Sequence, residues 1–295
     1  MGAGVTRPLA GHAAMLAFSM LVAGSFALGA RAADEIAPAA LNALRFWLAV
    51  GILAAILRAR GGASPGAARA PWRYLVLGGL FAAYFVAMFE GLKTAPPVSA
   101  AAVFTLTPAL SGIAGYWLMR QVTTPRMALA LAIGAAGALW VIFRADLRAL
   151  LAFDLGRGEA IYLAGCLAHA IYTPMVARLN RGEGALTFAL GTLVAGAVVL
   201  SLASLPALAT TDLASLPPIV WVTIVYTAIC ATAATTVLLQ FASLRLPSAK
   251  VMAYTYLVPS WVILWELALG GAAPTALVLP GIALTVVALA LLLRE

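Results

Sequence analysis

One arginine and one histidine interrupt long apolar stretches of this sequence. Arg45 lies near the middle of the run from residue 36 to 58, and His169 lies in the middle of the run from 158 to 179. If such a run crosses a bilayer, a charge at its centre costs roughly 2.5 to 3.5 kcal/mol, so something must offset it. Tyr162 precedes His169 by seven residues and Tyr172 follows it by three, on roughly one face of a helix. We therefore expect His169 and its two tyrosines to face a cavity.

Two interpretations of Arg45 are open. As a functional group, it is a fixed cation that faces a watery central cavity and meets the carboxylate of a ligand. As a structural group, it is a clamp that donates hydrogen bonds to carbonyls at a helix end, or pairs with a glutamate. Asn42 lies about one helical turn before Arg45 and is expected to share its surroundings.

Aromatic and methionine side chains lie at the same depth in other apolar runs. The candidates are Tyr84, Met88, Phe104, Tyr226 and Tyr254. A pocket of rings with a few polar tips suits a flat, partly apolar ligand, so we favour a place in the cavity for the tyrosines. The alternative is that these rings pack between helices or anchor the chain at the membrane interface.

The residue sets of common enzyme classes are missing from this sequence. It has no Walker loop, no paired aspartates within an apolar run, no zinc-type cluster and no Ser/His/Asp set, and its histidines are His12 and His169. Cys166 and Cys230 lie in separate apolar runs, where we interpret them as small core residues. We expect no catalytic residue, no metal site and no cofactor, and hence no enzyme.

The composition requires a membrane environment. Of the 295 residues 64% are hydrophobic and 9% are charged, whereas a soluble domain carries roughly 25% charge. A bilayer core takes about 20 residues per helix, so ten spans use nearly the whole chain and predict a single transmembrane domain over residues 1–295. The net charge of +8 is spread over loops and forms no basic tract, which argues against a nucleic-acid partner.

Ten apolar runs are bounded by charges, prolines or glycines. They cover residues 13–31, 36–58, 72–94, 97–119, 124–144, 158–179, 185–205, 217–243, 247–270 and 275–294. Of the 18 basic residues, 12 fall at the ends that face the same side as the N-terminus, and five fall on the other side. This bias predicts that both termini are cytoplasmic.

A repeat relates the two halves of the chain. Pro96 and Pro108 are 12 residues apart, as are Pro247 and Pro259, and an offset of 151 relates the two pairs. Because five spans separate the copies, the second copy enters the membrane from the opposite side. The fold class predicted is therefore an all-α membrane protein of two inverted five-helix repeats, about 11–145 and 157–294, around a central cavity.

Three residues are candidates for gating. Proline removes a helical hydrogen bond and kinks a helix, so Pro108 and Pro259 could let the fourth and ninth helices bend. Static packing geometry is the alternative for both prolines. Lys250 lies one turn inside the cytoplasmic end of the ninth run, where it either snorkels to the interface or acts at a gate.

The proline-containing segments resemble a known family. Residues 89–108 and 242–259 resemble the A-L-K-x-x-x-A-x-x-A and L-x-P signature of the drug/metabolite transporter superfamily, in its EamA-type ten-helix carriers, and Leu44–Phe46 resembles the L-R-F motif of that family. Many members carry a glutamate shortly after the fourth and ninth helices, whereas this sequence reads Met119–Gln121 and Leu269–Gly271 there. This chain therefore lacks a glutamate that could play the same role.

The resemblance implies a secondary transporter. We expect export of small amphipathic metabolites, with aromatic amino acids as the preferred class, by alternating access across the inner membrane of a bacterial cell. The expected partners are a small-molecule substrate and membrane lipid, and the expected state is a monomer or a homodimer. An intramembrane lipid-modifying enzyme is one alternative, although it should show polar catalytic groups at one interface. A non-transporting membrane sensor is another, although it would not need inverted proline pairs.

Overall fold

The protein is an all-helical bundle. A computed structural model describes residues 6–63, 68–152 and 155–293, and every regular element in these ranges is a helix. Ten of these helices are long and apolar enough to cross a membrane. They are α1 Thr6–Ala32, α2 Pro38–Ala59, α3 Trp72–Gly91, α4 Pro97–Met119, α5 Pro125–Ile142, α6 Arg157–Leu179, α7 Ala185–Thr210, α8 Pro218–Ser243, α9 Ser248–Ala268 and α10 Ala276–Leu293. The predicted fold class is confirmed.

Prolines determine where several of these helices begin. Pro38, Pro97, Pro125 and Pro218 each occupy the first turn of a helix, where the missing N–H would have no partner in any case. At α5 the hydroxyl of Thr124 also accepts a hydrogen bond from the backbone N–H of Met127 at 3.2 Å. The predicted spans therefore agree with the observed helices to within a few residues at most ends.

Two of the spanning helices are interrupted at matching places. α4 consists of Pro97–Phe104 and Thr107–Met119. α9 begins as an α-helix, tightens into a 3-10 turn over Tyr254–Leu257 and continues as Val258–Ala268. In both helices the second part carries its proline in the first turn, because a proline there breaks no hydrogen bond within that part. The breaks are related by the repeat that the prolines indicate.

α8 contains a different irregularity. Its middle section, Ile229–Ala234, is a π-helix, in which the turn holds one more residue than in an α-helix. Such wide turns are frequent at functional sites. This turn lies near the middle of the span Pro218–Ser243.

The two halves of the chain exchange their first helices. α1 packs on α8 and α9 of the second half, and α6 packs on α3 and α4 of the first half. α7 packs on α2 and α3, and α5 pairs with α10. The bundle is consequently held together by contacts between halves.

Glycines allow the closest of these helix contacts. A Cβ atom added to Gly78 of α3 would lie 2.5 Å from the backbone nitrogen of Gly196 in α7. A Cβ atom on Gly137 of α5 would lie 2.5 Å from the carbonyl oxygen of Gly281 in α10. Backbones approach this closely in membranes because packing and not water exclusion drives helix association there.

Candidate functional site

A cluster of aromatic rings surrounds His169 at the centre of the bundle. The imidazole of His169 meets the ring of Tyr84 edge-on at 4.4 Å between centroids and the ring of Phe104 at 5.6 Å. The hydroxyls of Tyr84 and Tyr162 are hydrogen-bonded at 3.0 Å. None of these four side chains is more than 1% exposed. α3, α4 and α6 therefore bring together four of the predicted site residues, in a conformation that encloses them completely.

Tyr172 extends this cluster towards α8. Its ring stacks on Phe81 at 4.8 Å, and its hydroxyl accepts a hydrogen bond of 3.0 Å from the side-chain amide of Gln240. The same amide nitrogen lies 3.2 Å from the hydroxyl of Thr192 in α7, which accepts a second hydrogen bond. The cluster thus reaches both halves of the repeat.

Arg45 crosses from α2 to the wide turn of α8. Its Nε donates a hydrogen bond to the hydroxyl of Thr232 at 2.9 Å, and one Nη donates to the carbonyl oxygen of Ala231 at 3.4 Å. The guanidinium also lies 3.9 Å from the ring centroid of Phe85. Its Nη1 has no hydrogen-bond partner among the described residues. Arg45 therefore does clamp a helix carbonyl, and it also retains a buried donor that could meet a ligand.

Asn42 supports this arrangement from one turn earlier in α2. Its amide nitrogen donates to the carbonyl oxygen of Pro38 at 2.7 Å and to that of Phe85 at 3.3 Å. Phe85 in turn lies 4.7 Å from Tyr84, so the arginine and the aromatic cluster are in continuous contact. Met88, one turn further along α3, is completely buried.

Four buried polar atoms around this centre lack a hydrogen-bond partner within the described ranges. They are Nη1 of Arg45, Oδ1 of Asn42, Nδ1 of His169 and Oε1 of Gln240. An unpaired buried polar group costs about 1 to 3 kcal/mol, and native structures rarely keep several together without a role. Two acceptors and a cationic donor next to flat rings form a set that can bind a polar head attached to an aromatic ring.

Two predicted site residues lie elsewhere. Tyr226 is half-buried in α8, where its hydroxyl donates to the carbonyl oxygen of Leu21 at 2.9 Å and its ring lies 5.2 Å from Trp265. The ring of Tyr254 lies 6.0 Å from His12, near the beginning of α1. Both tyrosines thus contact α1, while the His169 cluster is built on α3, α4 and α6.

The candidate gating residues lie along α4 and α9. Pro108 and Pro259 are buried, and Lys250 is partly exposed near the start of α9. The hydroxyls of Thr107 and Thr255, one beside each break, are 3.4 Å apart. The two interrupted helices therefore meet at their breaks.

A buried ion pair lies beside the loop between α6 and α7. One Nη of Arg73 donates to Oε1 of Glu183 at 2.7 Å, and the other donates to the carbonyl oxygen of Leu179 at 2.7 Å. Burial alone raises the pKa of Glu183, but hydrogen bonds from Arg73 and from the backbone N–H of Arg181 outweigh it and hold that pKa below its usual value. This pair ties α3 to the loop between α6 and α7.

The comparisons with known proteins agree with this architecture. The EamA-like transporter family matches in two segments, residues 9–143 and 156–294, which together cover nearly the whole chain. The chain belongs to this family. It is 27% identical over 217 residues to the uncharacterized transporter YyaM of Bacillus subtilis (strain 168), over 72% of this chain and 71% of that protein. A crystal structure described only as that of a protein superposes with a TM-score of 0.74 at 22% identity over 97% of each chain, which shows the fold alone.

As an EamA-like transporter, the chain is a multi-pass membrane protein with a transport role. The resemblance of its proline segments to the drug/metabolite transporter superfamily is confirmed. Each of the two matched segments spans one of the halves that exchange their first helices.

Several residues of the site were not found from the sequence. Phe81 and Phe85 line the cluster, but a phenylalanine in an apolar run has the same pattern as one that faces lipid. Gln240 and Thr232 are polar residues inside an apolar run, and that signal could have identified them. Glu159, in the first turn of α6, is only 4% exposed and accepts a hydrogen bond from the hydroxyl of Ser99 at 2.8 Å.

Proposed function

We propose that this EamA-like transporter is a secondary carrier that exports small amphipathic metabolites carrying a flat ring and a carboxylate, with aromatic amino acids in that class. The observation that carries the proposal is the unpaired, buried Nη1 of Arg45 in contact, through Phe85 and Tyr84, with the aromatic cluster around His169.

The chemistry of the centre matches such a substrate. A carboxylate pairs best with a guanidinium that still has a donor to give, as Arg45 does. An ammonium group needs acceptors, and Oδ1 of Asn42 and Oε1 of Gln240 supply two. An aromatic ring stacks at centroid distances of 4.5 to 7 Å, the range in which the rings of Tyr84, Phe104 and Tyr162 already contact one another.

Alternating access supplies the movement that this enclosed centre requires. Because the site side chains are enclosed, a substrate enters only if helices separate on one side. α4 and α9 are interrupted at matching places and meet at Thr107 and Thr255, so bending at either break would open opposite ends of the bundle. Pro108 and Pro259 fix the positions of these hinges.

The membrane placement follows from the charge bias. With 12 of the 18 basic residues on the side of the N-terminus, both termini lie in the cytoplasm. The family resemblance supports the inner membrane of a bacterial cell as the membrane. The driving force is the substrate gradient or the proton gradient.

A transport assay with purified protein in proteoliposomes tests the proposal. Vesicles loaded with labelled tryptophan should release it faster than protein-free vesicles, and unlabelled phenylalanine and tyrosine should compete while alanine should not. His169→Leu should weaken tryptophan transport by about tenfold, as the loss of one buried polar contact of about 1.4 kcal/mol implies. His12→Leu is the matched control outside the cluster.

The possible outcomes separate the alternatives. No flux of any amino acid, nucleoside or organic cation would defeat the carrier proposal and leave a lipid-modifying enzyme or a sensor. Flux with no preference for an aromatic ring would keep the carrier and reject this site. Equal effects of His169→Leu and His12→Leu would also reject the site.

A further inference from the structure

A groove of about 470 Å³ opens on the outer surface of the bundle between α4 and α5. Its lining, which defines the α4–α5 groove, is Ala109, Gly112, Ile113, Tyr116, Trp117, Val122, Thr123, Ala128 and Leu131. Large side chains at its edge are exposed, among them Trp117 at 74% and Val122 at 80%. The groove therefore faces the lipid and is separate from the enclosed centre.

The length of the groove corresponds to one leaflet. Ala109, Ile113 and Tyr116 follow one another at helical spacing on one face of α4, and Arg120 continues that face at the end of the helix. From Ala109, inside the groove, to Arg120, beyond its end, eleven rises of 1.5 Å give about 16 Å, half of a hydrocarbon core of about 30 Å. A single acyl chain fits this depth.

The mouth of the groove is positively charged. Arg120 is exposed, with its guanidinium 6.0 Å from the ring centroid of Tyr116. Arg126 is exposed in the first turn of α5, and Arg178 donates a hydrogen bond to the carbonyl oxygen of Leu118 at 3.0 Å. Residues 118–130 contain no aspartate or glutamate. Basic sites between membrane helices favour anionic lipid headgroups by about 1 kcal/mol per basic residue.

We propose that the α4–α5 groove binds an anionic phospholipid, with an acyl chain in the groove and the phosphate on Arg120 and Arg126. A second copy of the chain is the competing occupant, but a two-fold interface centred on this groove would bring the same arginines of both copies together. Like charges in contact disfavour that interface, whereas a phosphate neutralises them.

The bound lipid would lie beside an interrupted helix. The groove follows the second part of α4, Thr107–Met119. The loop after that part is tied to the start of α9, because the side-chain oxygen of Gln121 accepts a hydrogen bond from the backbone N–H of Ser248 at 3.1 Å. Lipid in the groove is therefore in a position to stabilise one arrangement of α4 against α9.

Lipid binding to the full-length protein in detergent tests this proposal. The probes are phosphatidylglycerol and phosphatidylcholine with identical acyl chains, and native mass spectrometry measures the apparent affinity of each. Phosphatidylglycerol should bind more tightly. Arg120→Gln should weaken its binding by about fivefold, and Arg120→Gln combined with Arg126→Gln by about 25-fold, with phosphatidylcholine unchanged. Arg58→Gln, an exposed arginine at the same end of the bundle, should change neither lipid.

A second variant tests the acyl-chain part. Ala128 lines the groove and is exposed, so Ala128→Phe fills the groove without entering the core and should weaken both lipids. Equal binding of the two lipids, or equal effects of Arg120→Gln and Arg58→Gln, would overturn the proposal. A cysteine in the variant Trp117→Cys could also cross-link two copies of the chain. Efficient cross-linking that excess phosphatidylglycerol does not reduce would assign the groove to a dimer. These experiments measure lipid binding and not transport, so a negative result would not bear on the proposed transport function.

Discussion

Replacing Arg45 with methionine separates the two roles that the structure gives this side chain. Methionine is unbranched and uncharged, so it replaces the aliphatic part of the arginine side chain and removes the guanidinium, with its hydrogen bonds to Thr232 and Ala231 and its contact with Phe85. If Nη1 binds a substrate carboxylate, Arg45→Met should cost far more in transport of a carboxylate substrate than in stability.

The expected loss of stability is small because two terms oppose each other. Each of the two charge-assisted hydrogen bonds of Arg45 contributes about 1.5 to 3 kcal/mol, whereas removing a charge from the middle of the membrane relieves about 2.5 to 3.5 kcal/mol. The net loss is at most about 3.5 kcal/mol, or a fall in Tm of less than about 14 °C.

The expected loss of substrate binding is larger. Removing one member of a buried, hydrogen-bonded charge pair costs about 2 to 5 kcal/mol, which is about thirtyfold to a few thousandfold in affinity. A substrate without a carboxylate should lose almost nothing, because it has no partner for the guanidinium.

Tryptophan and tryptamine make the measurement specific, since they differ only in the carboxylate. Efflux of each from proteoliposomes, with wild type and Arg45→Met, should show a drop of at least about thirtyfold for tryptophan and less than about threefold for tryptamine. Arg31→Met is a control, because Arg31 is the partly exposed partner of Glu266 at the end of α1. The reasoning is refuted if tryptophan and tryptamine lose flux by the same factor.

Three further outcomes follow from the fold. Pro108→Ala and Pro259→Ala should each slow transport several-fold while substrate affinity stays within about twofold, and unchanged flux in both variants would contradict a hinge role. Glu183→Gln should lower Tm by about 2 to 10 °C at neutral pH. Because the folded-state pKa of Glu183 is lowered, the stabilisation by its carboxylate is present above the unfolded pKa of about 4.3 and disappears as pH falls through the folded pKa. The Tm values of wild type and Glu183→Gln, measured from acid to neutral pH, should therefore approach each other at acid pH. Gly78→Ala should destabilise by about 1 to 3 kcal/mol because its Cβ meets the backbone of α7, whereas Gly79→Ala, with nothing within 4 Å, should be neutral or stabilising in a chemical unfolding titration.

The spans were predictable because each is a local property of the sequence. An apolar run that ends at a charge or a proline fixes both ends of a helix, as Pro97–Met119 shows. The inverted halves were predictable because the two proline pairs have the same spacing and an odd number of spans separates them. The exchange of α1 and α6 between halves was not, because uniformly apolar helices do not indicate which neighbour each face meets.

Part of the site was also predictable from local features of the sequence. His169 and Tyr162 were found because a polar group inside a membrane helix is costly and needs a role. Tyr226 and Tyr254 were predicted at the same membrane depth as His169, but both face α1. Depth along a helix does not determine the direction of a side chain. The π-turn that Arg45 clamps depends on contacts between α2 and α8, which no local pattern contains.

The exchange of first helices affects how the chain assembles during its synthesis. Roughly 190 residues separate the end of α1 from the start of α8, so at 5 to 20 residues per second α1 waits about 10 to 40 s in the bilayer for its partners. Two separate five-helix chains inserted in opposite directions would satisfy the same contacts, as a swapped dimer does. The single chain is thus equivalent to such a dimer with a covalent link between α5 and α6, and co-expressed halves should reassemble where either half alone is degraded.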